Sequence, residues 1–351
     1  MKKILGAIII LLVLLLGILY AISPVRPVAW QPDANAGLKN MFMRNNEADS
    51  VQIVGQNRLP APEDITVSDN GVLFTGLENG DIVSFPVSDP ANITVIANTG
   101  GRPLGVRIDK QGDLIVSDAI KGLLKVSLDG TVTTLVDSFQ GKPLLLVDHH
   151  DIAENGDIYF SNASSRYGME TFLYDFIEAS ATGEVYRYSP DTGETIKLMD
   201  GLFFANGIAL GPNDDYLLVT ETGKSRILRY DLAGKNAGET SIFATNLPGM
   251  PDNISFNDEG IFWVGMVSLR DWRVENLANY PSLRRIVGAL PLKWLEPTEH
   301  YGFFVGFNEY GRVVANYQSP AKYTSITSVY EHEDKLYIGS LKMNGVAVLS
   351  L

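Results

Sequence analysis

Glu63-Asp64-Ile65-Thr66-Val67-Ser68-Asp69-Asn70-Gly71-Val72-Leu73-Phe74 reads as a short strand, a tight polar turn and a second strand. Alternating apolar residues on both sides of a glycine-containing turn are the signature of a β-hairpin. The pattern recurs in Leu104-Gly105-Val106-Arg107-Ile108-Asp109-Lys110-Gln111-Gly112-Asp113-Leu114-Ile115 and in Asp148-His149-His150-Asp151-Ile152-Ala153-Glu154-Asn155-Gly156-Asp157-Ile158-Tyr159. Three more copies start at Asn206, Asp252 and Ile326 and turn at Asp214, Gly260 and Asp334. In all six the turn residue stands eight positions after the first residue. The starts are 41, 44, 58, 46 and 74 residues apart. The shorter intervals match the roughly 40–45 residues of a four-stranded propeller blade. The expected fold is therefore all-β, a six-bladed β-propeller over residues 59–351. An open or two-sheet β structure with chance spacing is the competing reading.

The two long intervals imply insertions, Ser164–Ala181 and Leu269–Pro297, with helical character in Asp271–Leu290. Insertions to one face of a repeat are often where binding happens. Their aromatic residues Tyr167, Phe172, Tyr174, Trp272 and Tyr280 suit either a pocket wall or core packing. A strand near Val51–Val54 is expected to pair with Gly345–Leu349 and close the ring.

Upstream, Met1-Lys2-Lys3 precedes an unbroken apolar run of 19 residues, Ile4 to Ile22. A bilayer core needs about 20 such residues, so this run spans. A cleavable signal peptide is the competing reading, but its apolar core is normally shorter, and Ala21-Ile22-Ser23-Pro24 is a poor cleavage site. Residues 1–23 are thus expected to be a cytoplasmic stub and transmembrane anchor. Lys2 and Lys3 hold the N-terminus in the cytoplasm, leaving the body periplasmic or otherwise extracytoplasmic. Residues 24–58, with Pro24, Pro27 and Pro32, read as a linker that carries the ring-closing strand.

The chain has no cysteine, which removes disulfides, thiolate catalysis and cysteine-based metal sites. A net charge of −13 disfavours nucleic acid as a partner. An acidic balance suits a divalent cation, although its commonest meaning is solubility.

The first strand of a blade lines the central channel, so the six aligned first residues converge there. They are Glu63, Leu104, Asp148, Asn206, Asp252 and Ile326, with Asn253 adjoining the fifth. Three carboxylates crowded together would repel one another, and an unpaired buried charge costs several kcal/mol. A shared proton or a bound cation relieves this. Oxygen-only donors, three of them charged, suit a hard ion with six to eight oxygen ligands, which is calcium. Asp and Asn also cap strands and make turns, a reading that explains each residue singly.

Several strings resemble the strictosidine-synthase-like branch of the gluconolactonase, paraoxonase and senescence-marker-protein propellers. They are Pro62-Glu63-Asp64-Ile65, Arg102-Pro103-Leu104-Gly105, Gly122-Leu123-Leu124-Lys125-Val126, Phe204-Ala205-Asn206-Gly207, Arg226-Ile227-Leu228-Arg229-Tyr230, Leu247-Pro248-Gly249-Met250-Pro251-Asp252-Asn253-Ile254 and Leu336-Tyr337-Ile338-Gly339-Ser340-Leu341. The resemblance runs from Pro62 to the C-terminus, and the anchor looks like that of the branch's membrane-associated members. It implies one axial calcium held by Glu63, Asn206, Asp252 and Asn253, with Asp148 as the remaining ligand. It also marks departures. The paraoxonase histidine pair corresponds to Leu104 and Asp118. The acidic ligands of a second calcium correspond to Asp64 and His149. The glutamate of strictosidine synthase falls near Ala315, so Pictet–Spengler condensation is not expected.

The resemblance and the donor set together imply a calcium-dependent hydrolase of small-molecule esters or lactones, with the ion polarising the substrate carbonyl. Candidates for the base are His150, His149, Asp118 and Asp252. Asp148 and His150 would share one face of a strand, which puts His150 first. The rival is a non-catalytic binding or interaction propeller whose cation staples the blades.

Overall fold

A computed structural model describes residues 1–296 and 300–351. Pro297, the expected last residue of the second insertion, lies outside the described residues. Helix α1, Lys2–Ile22, is a candidate membrane span with no buried residue. At about 1.5 Å per residue its length matches a hydrocarbon core of about 30 Å.

Six four-stranded antiparallel sheets follow. Their inner strands are Ile65–Val67, Pro103–Ile108, Val147–Ile152, Ala205–Leu210, Gly249–Phe256 and Ile326–His332, which define blades 1 to 6. Each inner strand contacts the inner strands of both neighbouring blades, blade 6 meeting blade 1, so the sheets form a closed propeller. The apolar core lies between blades. One cluster joins Phe74 and Ile82 of blade 1 to Val106 and Leu114 of blade 2, and another joins Ile254 and Val264 of blade 5 to Leu218 and Ile227 of blade 4. Alternation along each strand therefore serves two sandwiched faces at once.

The ring closes through the N-terminal segment. Gln52, Ile53 and Val54 pair with Val348, Ala347 and Val346, which makes Gln52–Val54 the outer strand of blade 6. The rest of residues 24–58 also lies against the propeller. Phe42 is buried in the core between blades 4 and 5, and Ala48 and Val51 in that between blades 5 and 6. Asn45 Oδ1 accepts from the Gln318 amide at 3.0 Å. The prolines suggested extension; the apolar residues between them determine where the extended chain lies.

Both insertions connect the second strand of a blade to its third. Ile158–Asn162 leads through helix α2, Leu173–Glu178, to Gly183–Ser189. Ile261–Leu269 leads through α3, Trp272–Asn276, and α4, Pro281–Val287, to Gly302–Asn308. In an antiparallel sheet the end of the second strand lies beside the start of the first. Both insertions therefore rise over the face on which the inner strands begin.

The start of the inner strand is irregular in blades 2 to 6. A β-bulge interrupts the ladder between Val147 and His150, between Ala205 and Ile208, between Pro251 and Ile254, and between Ile326 and Val329, with a similar shift after Pro103. A bulge bends the strand and re-aims a side chain. In blades 3, 4 and 5 the bulge holds Asp148, Asn206 and Asp252. The blades approach closely there: a Cβ on Gly207 would lie 2.6 Å from Asp252 O and from Ile254 N. Gly207→Ala should therefore strain the blade 4–5 seam by about 1–3 kcal/mol. Thermal unfolding of the variant should show a Tm several degrees below the parent; an unchanged Tm would contradict the packing described.

Candidate metal centre

Carboxylate oxygens of Glu63, Asp148 and Asp252 lie within 4.8 Å of one another. All three residues are buried, as are Asn206 and Asn253. Glu63 Oε2, Asp148 Oδ1, Asn206 Oδ1, Asp252 Oδ1 and Asn253 Oδ1 have no hydrogen-bond partner among the described residues. Five buried side-chain oxygens left unpaired, three of them on carboxylates that meet, is what the native state normally avoids. The donor set is all oxygen, which fits a hard divalent cation and gives a soft metal no ligand of its preferred type.

Arg102, which sequence reasoning did not single out, shapes the charge balance. It is buried, both of its terminal nitrogens donate to Ala61 O at 3.1 Å, and its positive charge acts on Glu63 and Asp148. Three carboxylates against one guanidinium leave two negative charges, which one divalent cation cancels. Burial, then repulsion from Asp252 and Asp148, pushes the Glu63 carboxyl well above its ordinary range. Burial foremost, with Asp148 beside it, raises Asp252, while a hydrogen bond from Asn206 works the other way. Burial also pushes Asp148 up to about 8, against the opposing pull of Arg102.

A set of hydroxyls fixes the ligand backbones. The His149 amide donates to Ser161 Oγ at 3.1 Å, and Ser161 Oγ donates to Asn206 O of the next blade at 2.6 Å. The Gly207 amide donates to Thr220 Oγ1 at 2.7 Å, and Thr220 Oγ1 donates to Asp252 O at 2.5 Å. Thr327 Oγ1 and Ser328 Oγ donate to Glu63 O at 2.6 and 2.8 Å. The bulges free these amides from the ladder, and the hydroxyls take them up. A signal was present in the sequence: the second strands align as Thr75, Ser117, Ser161, Thr220, Gly265 and Gly339. At the two glycines the neighbouring backbone itself enters, since a Cβ would lie 2.2 Å from Thr327 O or 2.4 Å from Glu63 O.

The remaining candidates separate. His149 Nδ1 accepts from the Ile208 amide at 3.0 Å, and its Nε2 lies 3.1 Å from Arg107 Nη2 and 3.4 Å from Asp64 Oδ2. Arg107 Nη1 holds the same Asp64 oxygen at 2.6 Å, and its charge, opposing burial, keeps that carboxyl far below the usual range. The acidic partner expected for a second cation is thus already paired with a guanidinium. His150 turns to blade 2, where its Nδ1 lies 2.8 Å from Ser117 Oγ; its Nε2 is buried without a partner. Burial, then His149 and Arg107, lowers it well below an ordinary histidine, so the ring is neutral. The bulge after Val147 breaks the strict alternation that placed Asp148 and His150 on one face. Asp118 accepts from Thr99 Oγ1 at 2.7 Å and from the amides of Arg102, Ile120 and Lys121 at 2.9–3.0 Å, the bonding of a loop-holding carboxylate. Leu104 is buried and apolar, and Ala315 lies on the outer strand of blade 5, Val313–Ser319. Tyr167 is core, Tyr174 packs beside it half-buried, Phe172 lies tilted against Phe204 with ring centroids 6.2 Å apart, and Trp272 and Tyr280 are exposed.

Comparison with known proteins bears on this geometry. The family profile described as Strictosidine synthase matches residues 148–235, and that described as Strictosidine synthase-like, N-terminal matches residues 41–85. The chain is 31% identical to the Adipocyte plasma membrane-associated protein of Salmo salar, over 94% of this chain and 85% of that one. It is 33% identical to Protein STRICTOSIDINE SYNTHASE-LIKE 6 of Arabidopsis thaliana, over 86% of this chain and 81% of that one. In fold it is similar to a gluconolactonase from Xanthomonas campestris, with a TM-score of 0.63, 16% identity and coverage of 94% and 99%. It is also similar to the calcium-binding protein regucalcin from Agrobacterium tumefaciens, with a TM-score of 0.62, 14% identity and coverage of 86% and 93%.

The raised carboxyls set a sign for pH. A carboxyl whose folded pKa exceeds its unfolded value stabilises the cation-free fold below the unfolded value, near 4, and that contribution is lost as pH rises through the folded value. Cation binding needs the ionised carboxylates and so acts in the opposite direction. Under chelator, Tm should fall between pH 5 and pH 9, and excess calcium should restore it most at pH 9. Melting curves that ignore both chelator and pH would contradict the site.

Proposed function

The chain belongs to the strictosidine-synthase-like family, and on that basis we propose that it is a membrane-anchored, calcium-dependent hydrolase of small-molecule esters or lactones. The observation that carries the reading is the cluster of buried Glu63, Asp148 and Asp252 carboxylates, with unpaired oxygens on these three residues and on Asn206 and Asn253. Glu63, Asp148, Asn206, Asp252 and Asn253 would hold the calcium, which supplies a Lewis acid for the substrate carbonyl.

The chain's own groups supply the rest. His150 is the candidate base, because its Nε2 has no hydrogen-bond partner among the described residues and so is free to accept a proton from water. Ser117 fixes the ring through Nδ1. His149 and Asp118 are fully engaged and are better read as positioning residues. Asp252 serves as ligand. The hydroxyls of Ser161, Thr220, Thr327 and Ser328 hold the ligand carbonyls still while charge develops at the site, which is the preorganisation that catalysis of this kind needs. Ala315 supplies no carboxylate for a Pictet–Spengler base. Anchoring is assigned to α1, with Lys2 and Lys3 keeping the N-terminus cytoplasmic and the propeller outside. The membrane-associated name of the similar Salmo salar protein supports an anchor.

One observation favours a second reading. The ligands come from blades 1, 3, 4 and 5, and their backbones are tied across the seams, so a cation there would staple the ring whether or not it catalyses. Purified full-length protein assayed on aryl esters and lactones separates the two. Hydrolysis should be abolished by chelator and by Asp252→Asn, and His150→Gln should lower kcat by about 10²–10⁴-fold, the usual contribution of a general base. A chelator-sensitive Tm with no turnover on any substrate would establish the staple instead.

A further inference from the structure

Trp272 and Trp294 are 71% and 62% exposed, and both belong to the blade 5 insertion. Tyr280 and Leu283 of the same insertion are 58% and 48% exposed. Tryptophan and tyrosine gather at the headgroup level of a bilayer, where an apolar ring and a polar edge are both satisfied.

What stands beside this insertion is α1. Helix α4 packs against both α1 and α2. Arg285 Nε donates to Tyr20 O at 3.0 Å, and its guanidinium lies 4.4 Å from the centroid of the Tyr20 ring. A cation at the last carbonyls of a helix satisfies groups that have no partner within it. Tyr20 is two residues from the end of α1 at Ile22, about 3 Å along the axis. The chain leaving the helix is clamped as well. Val25 is fully buried against Tyr167 and Ile177. The Arg26 amide donates to Glu178 Oε2 at 2.6 Å, the Val28 amide donates to Glu178 O at 2.8 Å, and Arg284 Nη1 donates to Val28 O at 3.0 Å. The propeller cannot swing away from the end of its anchor.

We infer that the blade 5 insertion is a second, interfacial membrane contact, with Trp272, Tyr280, Leu283 and Trp294 seated in the headgroup layer beside α1. The inference rests on the reading of α1 as a membrane span. A span that ends at Ile22 puts α4 within one helical turn of the bilayer surface, and the insertion continues the apolar surface of α1 outward. Burial of about 5–10 Å is the depth of such contacts. Because the insertions rise over the face where Glu63, Asp148, Asn206 and Asp252 begin their strands, this seating turns the mouth of the axial site toward the lipid. Substrates dissolved in the interface would then reach it directly.

The chain has no cysteine, so single-cysteine variants carry one label each. Leu283→Cys, Leu11→Cys and Gln111→Cys, the last at a turn on the opposite face, would be labelled with an environment-sensitive fluorophore. The full-length protein would be reconstituted in phosphatidylcholine vesicles whose lipids carry a quencher either near the headgroup or at the bilayer centre. The label at Leu283 should lose most of its emission to the shallow quencher, that at Leu11 to the deep one, and that at Gln111 to neither. Replacing Trp272 and Trp294 by serine should reduce quenching at Leu283 and leave Leu11 unchanged. Quenching at Leu11 with none at Leu283 would overturn the inference while the anchor stands, including the case in which a second protein copy shields the patch from water. No quenching at either position would remove the anchor and the inference together.

Discussion

Repulsion among Glu63, Asp148 and Asp252 is the constraint around which the fold is organised. The three carboxylates are brought together by blades 1, 3 and 5 of a closed ring, and they cannot move apart without opening a seam between sheets. Arg102 offsets one charge from a distance while its own hydrogen bonds go to Ala61. The rest of the balance falls to something doubly positive or to protons. The bulges, the hydroxyls and the close-approach glycines hold in place a cluster that would otherwise push itself apart.

Much of this was legible in the chain. The fixed eight-residue offset between the first strand residue and the turn disclosed six hairpins, and the aligned first residues disclosed the axial oxygens, because a propeller maps one repeat position onto one ring. The chemistry around the ring was less legible. Arg102 stands two residues before an apolar position in its copy and belongs to no repeating column. The column of Thr75, Ser117, Ser161 and Thr220 repeats clearly, but a small hydroxyl in a strand has no chemistry until its partner on the next blade is known. Strand alternation did not disclose that His150 meets Ser117 of blade 2, because a bulge adds a residue to one strand and nothing in Asp148-His149-His150 marks where. The packing of residues 24–58 was not legible for the opposite reason: their prolines describe backbone shape and say nothing of what Phe42 and Ala48 pack against.

Two buried aspartates show how similar charges serve different ends. Asp64 touches Arg107 at 2.6 Å and stays ionised, with His149 of blade 3 against the same oxygen. Asp148 has the guanidinium of Arg102 only at a distance and its carboxyl is raised. Contact with a fixed cation makes a structural carboxylate; lack of contact leaves one that can bind.

Blade 6 joins segments far apart in sequence, with Gln52–Val54 waiting for Val346–Val348. During synthesis Gln52–Val54 is made first and has nothing to pair with until the other five blades have followed. Native topology is therefore reached late, through a contact of very high sequence separation, and such contacts slow folding and leave strand edges exposed. The waiting strand is only three residues long, too short an edge to recruit a foreign strand readily. Loss of Val346–Ser350 would deny the ring its clasp, so chains lacking that strand should be open and readily recognised by quality-control proteases.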